Sequence, residues 1–96
     1  MATQPETNFK RRVFKRLSLL SGCWYFKVVA GSVVGIPDVI GLYKGKFFAW
    51  ELKSKKGSAS KIQLLTLLKI KEAGGIARTV YPDELEESIS ELIQKA

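Results

Sequence analysis

The sequence predicts an α/β fold in which a small mixed β-sheet is flanked by helices, in the order α-β-β-β-α-β-α. Two short apolar runs, residues 38–43 and 46–52, are separated by Lys44-Gly45. This loop favours a tight hairpin because Gly accepts the positive φ that such turns require. A stretch with helical apolar spacing then leads to a further apolar run at residues 76–81. Such a crossover connection makes the second hairpin strand and that later strand parallel.

The first half of the chain carries a helix, a strand and a loop before the hairpin. The helix is predicted from about residue 5 to residue 20, and Ser21-Gly22 ends it. Its apolar side chains share one face: Phe9, Val13, Phe14, Leu17 and Leu20. Residues 24–29 are rich in aromatic and β-branched side chains, which favours a strand. Residues 31–35 are predicted to form a loop.

The second half begins with a basic turn at residues 54–57. Ser58 or Ser60 then caps a second helix that runs to about residue 73. This helix is apolar over much of its circumference, so we expect it to pack on the sheet and on a partner subunit. Gly74-Gly75 ends it, and Pro82 opens a last helix whose first turn is acidic.

Length and composition indicate one domain, residues 1–96, because two independent cores do not fit in 96 residues. The formal net charge of +7 favours a polyanionic partner, nucleic acid first and an anionic membrane surface second. No apolar stretch is long enough to cross a bilayer, and the polar residues 1–8 argue against a secretory signal. A single cysteine fits a reducing compartment, so we expect a cytoplasmic protein.

The sequence contains no histidine, which removes histidine general bases, histidine metal ligands and Ser-His or Cys-His pairs. The same absence, together with the single cysteine, disfavours a zinc site. No glycine-rich nucleotide-binding motif is present. Any catalysis must therefore come from carboxylates, lysine and a metal ion.

The hairpin places two acids opposite each other. With a two-residue loop Tyr43 faces Lys46, and counting back along both strands places Asp38 opposite Glu51. Opposed side chains share a face with Cβ atoms roughly 4.5–5.5 Å apart, and alternation puts Lys53 on that face too. A β-bulge would break this register.

Opposed like charges destabilise a sheet. Protonation of one carboxylate, neutralisation by Lys53, or a divalent cation between the two acids would relieve the repulsion. Hard cations such as Mg²⁺ are often held by one or two carboxylates, with water and phosphate completing the shell. An exposed salt bridge is the ordinary alternative, but the neighbouring residues here are mostly apolar.

The order of elements and several motifs resemble the VRR-NUC domain, the virus-type replication-repair nuclease domain of the PD-(D/E)xK superfamily, over nearly the whole chain. The resemblance is carried by Gly-Ile-Pro-Asp at 35–38, by Phe-Ala-Trp-Glu-Leu-Lys at 48–53, by Gln63 and by Gly-Gly-Ile at 74–76. It implies a restriction-endonuclease-like core. The bare Asp…Glu-x-Lys pattern is common by chance, whereas the combination with the hairpin and the helical glutamine is more specific.

The resemblance implies a metal site and its chemistry. Asp38, Glu51 and the backbone carbonyl of Leu52 would bind Mg²⁺ or Mn²⁺. Lys53 would orient or activate the attacking water and offset charge developing on the phosphate. Gln63 resembles the family's supporting polar residue, with an ordinary surface glutamine as the alternative. Glu6 matches an acidic position that can join the metal shell, or it is a helix N-terminal acid favoured by the dipole.

Basic residues near the start of the chain and after the hairpin are candidates for phosphate contact. The candidate DNA-binding residues are Lys10, Arg11, Arg12, Lys27, Lys55 and Lys56. A solvated basic face is the alternative for the first three, and a solvated strand lysine for Lys27. Lys55 and Lys56 follow the candidate catalytic residues directly, which favours phosphate contact there.

The resemblance implies a structure-specific DNA endonuclease acting on branched DNA, notably four-way (Holliday) junctions, in phage or mobile-element replication or repair. The setting would be a bacterial cell or a phage-infected host. A two-fold substrate cut symmetrically requires two active sites, so a homodimer is expected. A flap or nicking nuclease, a non-catalytic nucleic-acid binding domain and a factor that binds acidic proteins are the alternatives.

Overall fold

The computed structural model describes residues 5–29, 34–55 and 59–96, with residues 5 and 6 described through their backbone alone. The predicted order of elements is confirmed. The elements are α1 (Pro5–Ser18), β1 (Cys23–Lys27), β2 (Val39–Tyr43), β3 (Lys46–Leu52), α2 (Lys61–Glu72), β4 (Ile76–Val80), a 3₁₀ turn (Pro82–Glu84) and α3 (Leu85–Lys95). The predicted loop residues 31–33, the turn residues Lys56-Gly57 and the alternative cap Ser58 lie outside the described residues.

The four strands form one mixed sheet in the order β1-β2-β3-β4. The first three are antiparallel, and β3 and β4 are parallel, as the crossover through α2 predicts. The hairpin has the expected register, with Tyr43 paired to Lys46 and Val39 paired to Trp50. Lys44 and Gly45 have φ of 49° and 85°, the pair of positive values found in a type I′ turn.

The main core lies between one face of the sheet and the helices α1 and α3. The stripe predicted on α1 is confirmed, because Phe9, Val13 and Leu17 are buried while Phe14 and Leu20 pack against them. The sheet contributes Trp50, which is fully buried. The other buried apolar residues of this core are Val39, Tyr43, Phe48, Leu52, Ile76, Val80, Leu85, Ile89 and Leu92.

An ion network fixes α3 against β4. The guanidinium of Arg78 lies 3.3 Å from Glu84, 3.2 Å from Glu87 and 3.7 Å from Glu91. Three acidic residues of the C-terminal segment therefore hold one arginine of the sheet.

Helix α2 covers the opposite face of the sheet above β4 and β3. Ser60, not Ser58, is its N-cap: the Ser60 hydroxyl accepts the backbone N–H of Gln63, and the Gln63 side chain accepts that of Ser60. This reciprocal pair is a capping box. Leu67 is the buried residue of this helix, whereas Ile62, Leu64, Leu65 and Leu68 are each about half exposed.

Several predicted boundaries were wrong. Strand β1 is Cys23–Lys27 rather than residues 24–29, and β4 ends at Val80 rather than at residue 81. Helix α1 ends at Ser18 rather than Leu20, because Leu19 and Leu20 donate to carbonyls three residues back and tighten the chain into a turn. Pro82 opens a short 3₁₀ turn, and the α-helix begins at Leu85. In the described ranges, no helix combines the length and the apolar character needed to cross a bilayer.

Candidate active site

Asp38 is positioned by backbone contacts at the entry to β2. It follows Pro37, which is fully buried. The N–H of Val28, just after β1, donates to the Asp38 carbonyl at 2.9 Å. The N–H of Leu52, at the end of β3, donates to Oδ2 of the Asp38 carboxylate at 2.8 Å. The acid is therefore held at the end of the hairpin by the two strands that flank it.

Glu51 lies on β3 with its side chain turned away from the main core and towards α2. Its side chain is buried, with 6% of its surface exposed. Gln63 of α2 donates from Nε2 to Oε2 of Glu51 at 2.7 Å, and Nζ of Lys53 lies 3.8 Å from the same oxygen. The structure thus places Glu51, Lys53 and Gln63 together, as the sequence predicts.

The environment of Glu51 shifts this carboxyl towards its protonated form. Burial, and then the charge of Asp38, raise the pKa of Glu51 to about 7, while the charges of Lys53 and Lys10 act in the opposite direction. The like-charge conflict expected from the hairpin register is therefore present. Protonation of Glu51 and the positive charge of Lys53 both reduce the repulsion between the two carboxylates.

Two clefts meet at the acid pair. The first has a volume of about 430 Å³ and is lined by Phe9, Lys10, Asp38, Glu51, Leu52, Lys53, Ser54 and Lys55. The second, of about 490 Å³, has Lys27, the segment 35–37 and Gln63 in its wall. Lys10, Asp38 and Glu51 line both clefts. The acids therefore occupy the middle of a groove with lysines towards either end.

The oxygen atoms at the acid pair suit a hard divalent cation. Within the described ranges, Oε1 of Glu51 is buried and has no hydrogen-bond partner, so this oxygen is available to coordinate a cation. The N–H of Leu52 points at Asp38, whereas the N–H of Lys53 points at Val80 of β4. Because the N–H and C=O of one strand residue point to the same side, the Leu52 carbonyl faces the Asp38 side.

The carboxylates alone make a sparse ligand set. Among the side chains that the structure describes, no three from His, Cys, Asp and Glu cluster as a metal site. The side chain of Glu6, the predicted third acid, lies outside the described residues. Mg²⁺ commonly keeps several waters and binds through one or two carboxylates plus a substrate phosphate, so two acids are compatible with it.

The predicted DNA-binding residues separate into two groups. Lys55 lines the first cleft, Lys27 the second, and Lys10 both. Arg11 is exposed on α1, and Arg12 lies on another side of that helix, beside Leu85 and Glu86 of α3. The N-terminal basic residues are therefore not one continuous surface. Lys56 lies outside the described residues.

Two features of the site were not predicted from the sequence. The location of Lys10 beside the acids depends on how α1 packs against the sheet. The sequence indicates only that Lys10 flanks the apolar stripe of Phe9, Val13 and Leu17, and is therefore near the edge of the core. The capping box is legible in the Ser-x-x-Gln spacing of residues 60–63, yet its link to Glu51 requires the tertiary structure.

Comparison with solved structures shows the same fold in two proteins. A VRR_NUC domain matches with a TM-score of 0.78 and 18% identity, over 92% of this chain and 97% of that chain. Hjc, a Holliday junction resolvase from the archaeal hyperthermophile Archaeoglobus fulgidus, matches with a TM-score of 0.60 and 21% identity, over 78% of this chain and 66% of Hjc. No family profile and no curated protein matches the sequence. The resemblance read from the sequence is confirmed at the level of structure: this chain has the fold of the VRR_NUC domain.

Proposed function

We propose that this chain is a single nuclease domain that hydrolyses phosphodiester bonds of branched DNA in a metal-dependent reaction, with four-way junctions as the preferred substrate. One observation carries the proposal. Asp38 and Glu51, from adjacent strands, line the same clefts with Lys53 beside Glu51. These residues lie in a fold shared with a VRR_NUC domain and with a Holliday junction resolvase.

Each residue of the site has a distinct role in this proposal. Asp38, Glu51 and the Leu52 carbonyl would hold Mg²⁺ or Mn²⁺, and the bound ion would supply charge for the phosphate and acidify the attacking water. Lys53 places a positive charge beside that water and beside the developing charge on the phosphate. Gln63 keeps Glu51 oriented by donating to Oε2.

The charge distribution supports a nucleic-acid substrate. The chain carries a net charge of +7, and lysines lie in both clefts that flank the acids. A strand following this groove would meet Lys55 and Lys53 on one side of the acids and Lys27 on the other. We place this activity in the cytoplasm of a bacterial cell or phage-infected host, during phage or mobile-element replication or repair.

The decisive experiment compares labelled four-way junction, flap and duplex DNA in Mg²⁺, Mn²⁺ or EDTA. Wild-type protein is expected to cut the junction fastest with metal and to cut nothing in EDTA. Glu51→Ala and Lys53→Ala are expected to abolish or severely reduce cutting. A flap preference would assign a flap nuclease of the same fold, and salt-sensitive binding without cleavage would support a binding domain.

We propose further that the active form is a homodimer, because symmetric cutting of a two-fold junction needs two sites. An uncovered apolar part of the sheet supports this assembly. Trp24 pairs with Leu42 and Leu42 pairs with Phe47, so the three side chains form a row across β1, β2 and β3 on the face opposite the main core. Trp24 is 60% exposed, Leu42 is 44% exposed, and Phe26 beside them is 49% exposed.

This open apolar face is defined by Trp24, Phe26, Leu42 and Phe47, each between 39% and 60% exposed. Exposed aromatic side chains grouped on one face are typical of surfaces that bind another protein. A second copy of the chain is therefore the occupant that we assign to it.

Sedimentation equilibrium tests this assembly. Wild type is expected to be dimeric, and a Trp24→Ser/Leu42→Ser variant monomeric with an unchanged circular dichroism spectrum. Leu19→Ser is the matched control, because Leu19 is exposed but lies beside Arg12 and Leu85, away from the open apolar face. A monomeric wild type, or a double variant that remains dimeric, would show that the open apolar face is not a dimer interface.

A further inference from the structure

We infer that Lys10 is a second catalytic lysine of this site, which contacts a non-bridging oxygen of the scissile phosphate from the α1 side. The inference rests on the proposed nuclease function and adds a residue to its catalytic groups. It separates Lys10 from the other basic residues of α1, which the sequence presents as one cluster.

The position of Lys10 is the first support. Phe9, the preceding residue, is buried, and α1 is anchored to the sheet by Phe9, Val13 and Leu17. The half-buried Lys10 is therefore carried by a fixed turn of helix at the edge of the core. It lines both clefts, together with Asp38 and Glu51.

The second support is the placement of Lys10 relative to Lys53. Lys53 follows β3 and lines the first cleft, whereas Lys10 belongs to α1 and lies where the two clefts meet. A phosphate lying across the acid pair would therefore meet ammonium groups supplied by two different elements.

The net charge of the groups around the acid pair provides a reason for a second lysine. With both carboxylates ionised, as a bound divalent ion requires, Asp38, Glu51 and Lys53 carry a net negative charge at the point where a phosphodiester must approach. A second ammonium brings the protein groups to neutrality, so that the charge of a bound divalent ion remains available to attract the phosphate. During attack the phosphate gains negative charge, and a preorganised ammonium in a partly buried site stabilises that charge more than it stabilises the ground state.

The alternative is that Lys10 is a general contact to the DNA backbone, equivalent to the other lysines of the groove. The two roles differ in what they change. A general contact contributes to affinity and to its salt dependence, and its loss reduces the salt slope by about 1. A contact to the scissile phosphate that strengthens in the transition state contributes to the rate at saturating enzyme.

The experiment measures single-turnover cleavage of a four-way junction and, separately, junction affinity in EDTA across a salt series. It uses Lys10→Met, which keeps an aliphatic side chain and removes the charge, and Lys10→Arg, which keeps the charge. Lys15→Met is the matched control, because Lys15 lies on the same helix but beside Arg12, Arg16 and Leu85, away from the acids. Unfolding midpoints are recorded for each protein.

We expect Lys10→Met to lower the saturating rate on the order of 100-fold while affinity in EDTA changes little, with partial recovery in Lys10→Arg. Lys15→Met should cut at the wild-type rate. Weaker binding by Lys10→Met with an unchanged saturating rate, or no change in either quantity, would overturn this role while leaving the nuclease function intact. A wild type that cuts no DNA in Mg²⁺ or Mn²⁺ would overturn the nuclease function, and this role with it.

Discussion

Gln63 joins the N-terminus of α2 to the buried acid of β3. Its Nε2 donates to Oε2 of Glu51 at 2.7 Å, while its Oε1 accepts the backbone N–H of Ser60 at 3.0 Å. The two contacts fix the amide orientation, because the oxygen is used by the helix cap and the nitrogen faces the carboxylate. Gln63 therefore serves Glu51 as a hydrogen-bond donor.

The first prediction separates the two contacts of Gln63. Gln63→Ala should lower the rate of DNA cleavage by roughly 10–100-fold, because Glu51 loses the group that orients it. It should also destabilise the protein by about 1 kcal/mol through loss of half of the capping box. Single-turnover cleavage and urea unfolding measure the two effects.

Ser60→Ala is the control for this prediction. It removes the other half of the capping box, the hydroxyl that accepts the N–H of Gln63 at 3.2 Å, and leaves the Glu51 contact in place. Stability should fall by about 1 kcal/mol while cleavage remains near wild type. Equal losses of activity in both variants would show that helix capping, not the contact to Glu51, is what matters.

The second prediction concerns pH. The pKa of Glu51 is about 7 in the folded protein, against an ordinary value of 4.5. Between these values the folded chain binds a proton that the unfolded chain has released. The stability contributed by the protonated carboxyl is therefore complete below pH 4.5 and is lost as the pH rises through 7.

In EDTA, wild type should lose on the order of 3 kcal/mol of stability relative to Glu51→Gln between pH 4.5 and pH 8. Urea unfolding at several pH values measures the difference. Parallel pH profiles for the two proteins would contradict the assigned burial of this carboxylate. Mg²⁺ requires the ionised carboxylate, so its affinity should fall as the pH drops below 7.

The third prediction concerns the entry to Asp38. Gly35 has φ of 84°, and a Cβ at this position would overlap the side chain of Ile62 on α2. Gly35→Ala should therefore destabilise the protein by about 2–3 kcal/mol, from backbone strain together with the clash. Because the segment leads directly into Pro37-Asp38, cleavage should fall as well.

Gly45→Ala is the control that measures the cost of backbone strain without a steric clash. Gly45 has φ of 85°, almost identical to that of Gly35, but a Cβ there would meet open space. Its cost should be about 1 kcal/mol, with cleavage preserved. Similar losses from both substitutions, measured by urea unfolding, would mean that the contact with α2 is unimportant.

The fourth prediction tests the ion network of α3. Arg78→Met should destabilise the protein by about 2 kcal/mol, since it leaves the carboxylates of Glu84, Glu87 and Glu91 without their shared guanidinium. Thermal unfolding at low and high salt measures the loss. Cleavage should be unaffected at temperatures where the variant is folded.

Arg16→Met is the matched control for that network. Arg16 makes a two-pronged pair with Glu86 at 2.8 and 3.1 Å, but Glu86 is largely exposed. Water and salt screen such pairs, so no measurable loss of stability is expected. A loss as large as that from Arg78→Met would show that burial does not set the strength of these two ion pairs.

The sequence by itself determined the hairpin, its register and the approach of Asp38 to Glu51. Turn chemistry at Lys44-Gly45 and the two-residue period of a strand are local properties, so they are legible without knowledge of the rest of the chain. The parallel placement of β4 followed from the intervening helix, because a crossover leaves few alternatives.

Only the tertiary structure decided what surrounds those acids. The packing of α1 against the sheet places Lys10 near Glu51, whereas Arg12, on another side of α1, faces α3. The docking of α2 buries Glu51, supplies Gln63 and leaves Trp24 and Leu42 uncovered. Burial depends on contacts between segments that are distant along the chain, and no local pattern specifies them. The residues of the candidate catalytic pair were therefore predictable, whereas their electrostatic environment was not.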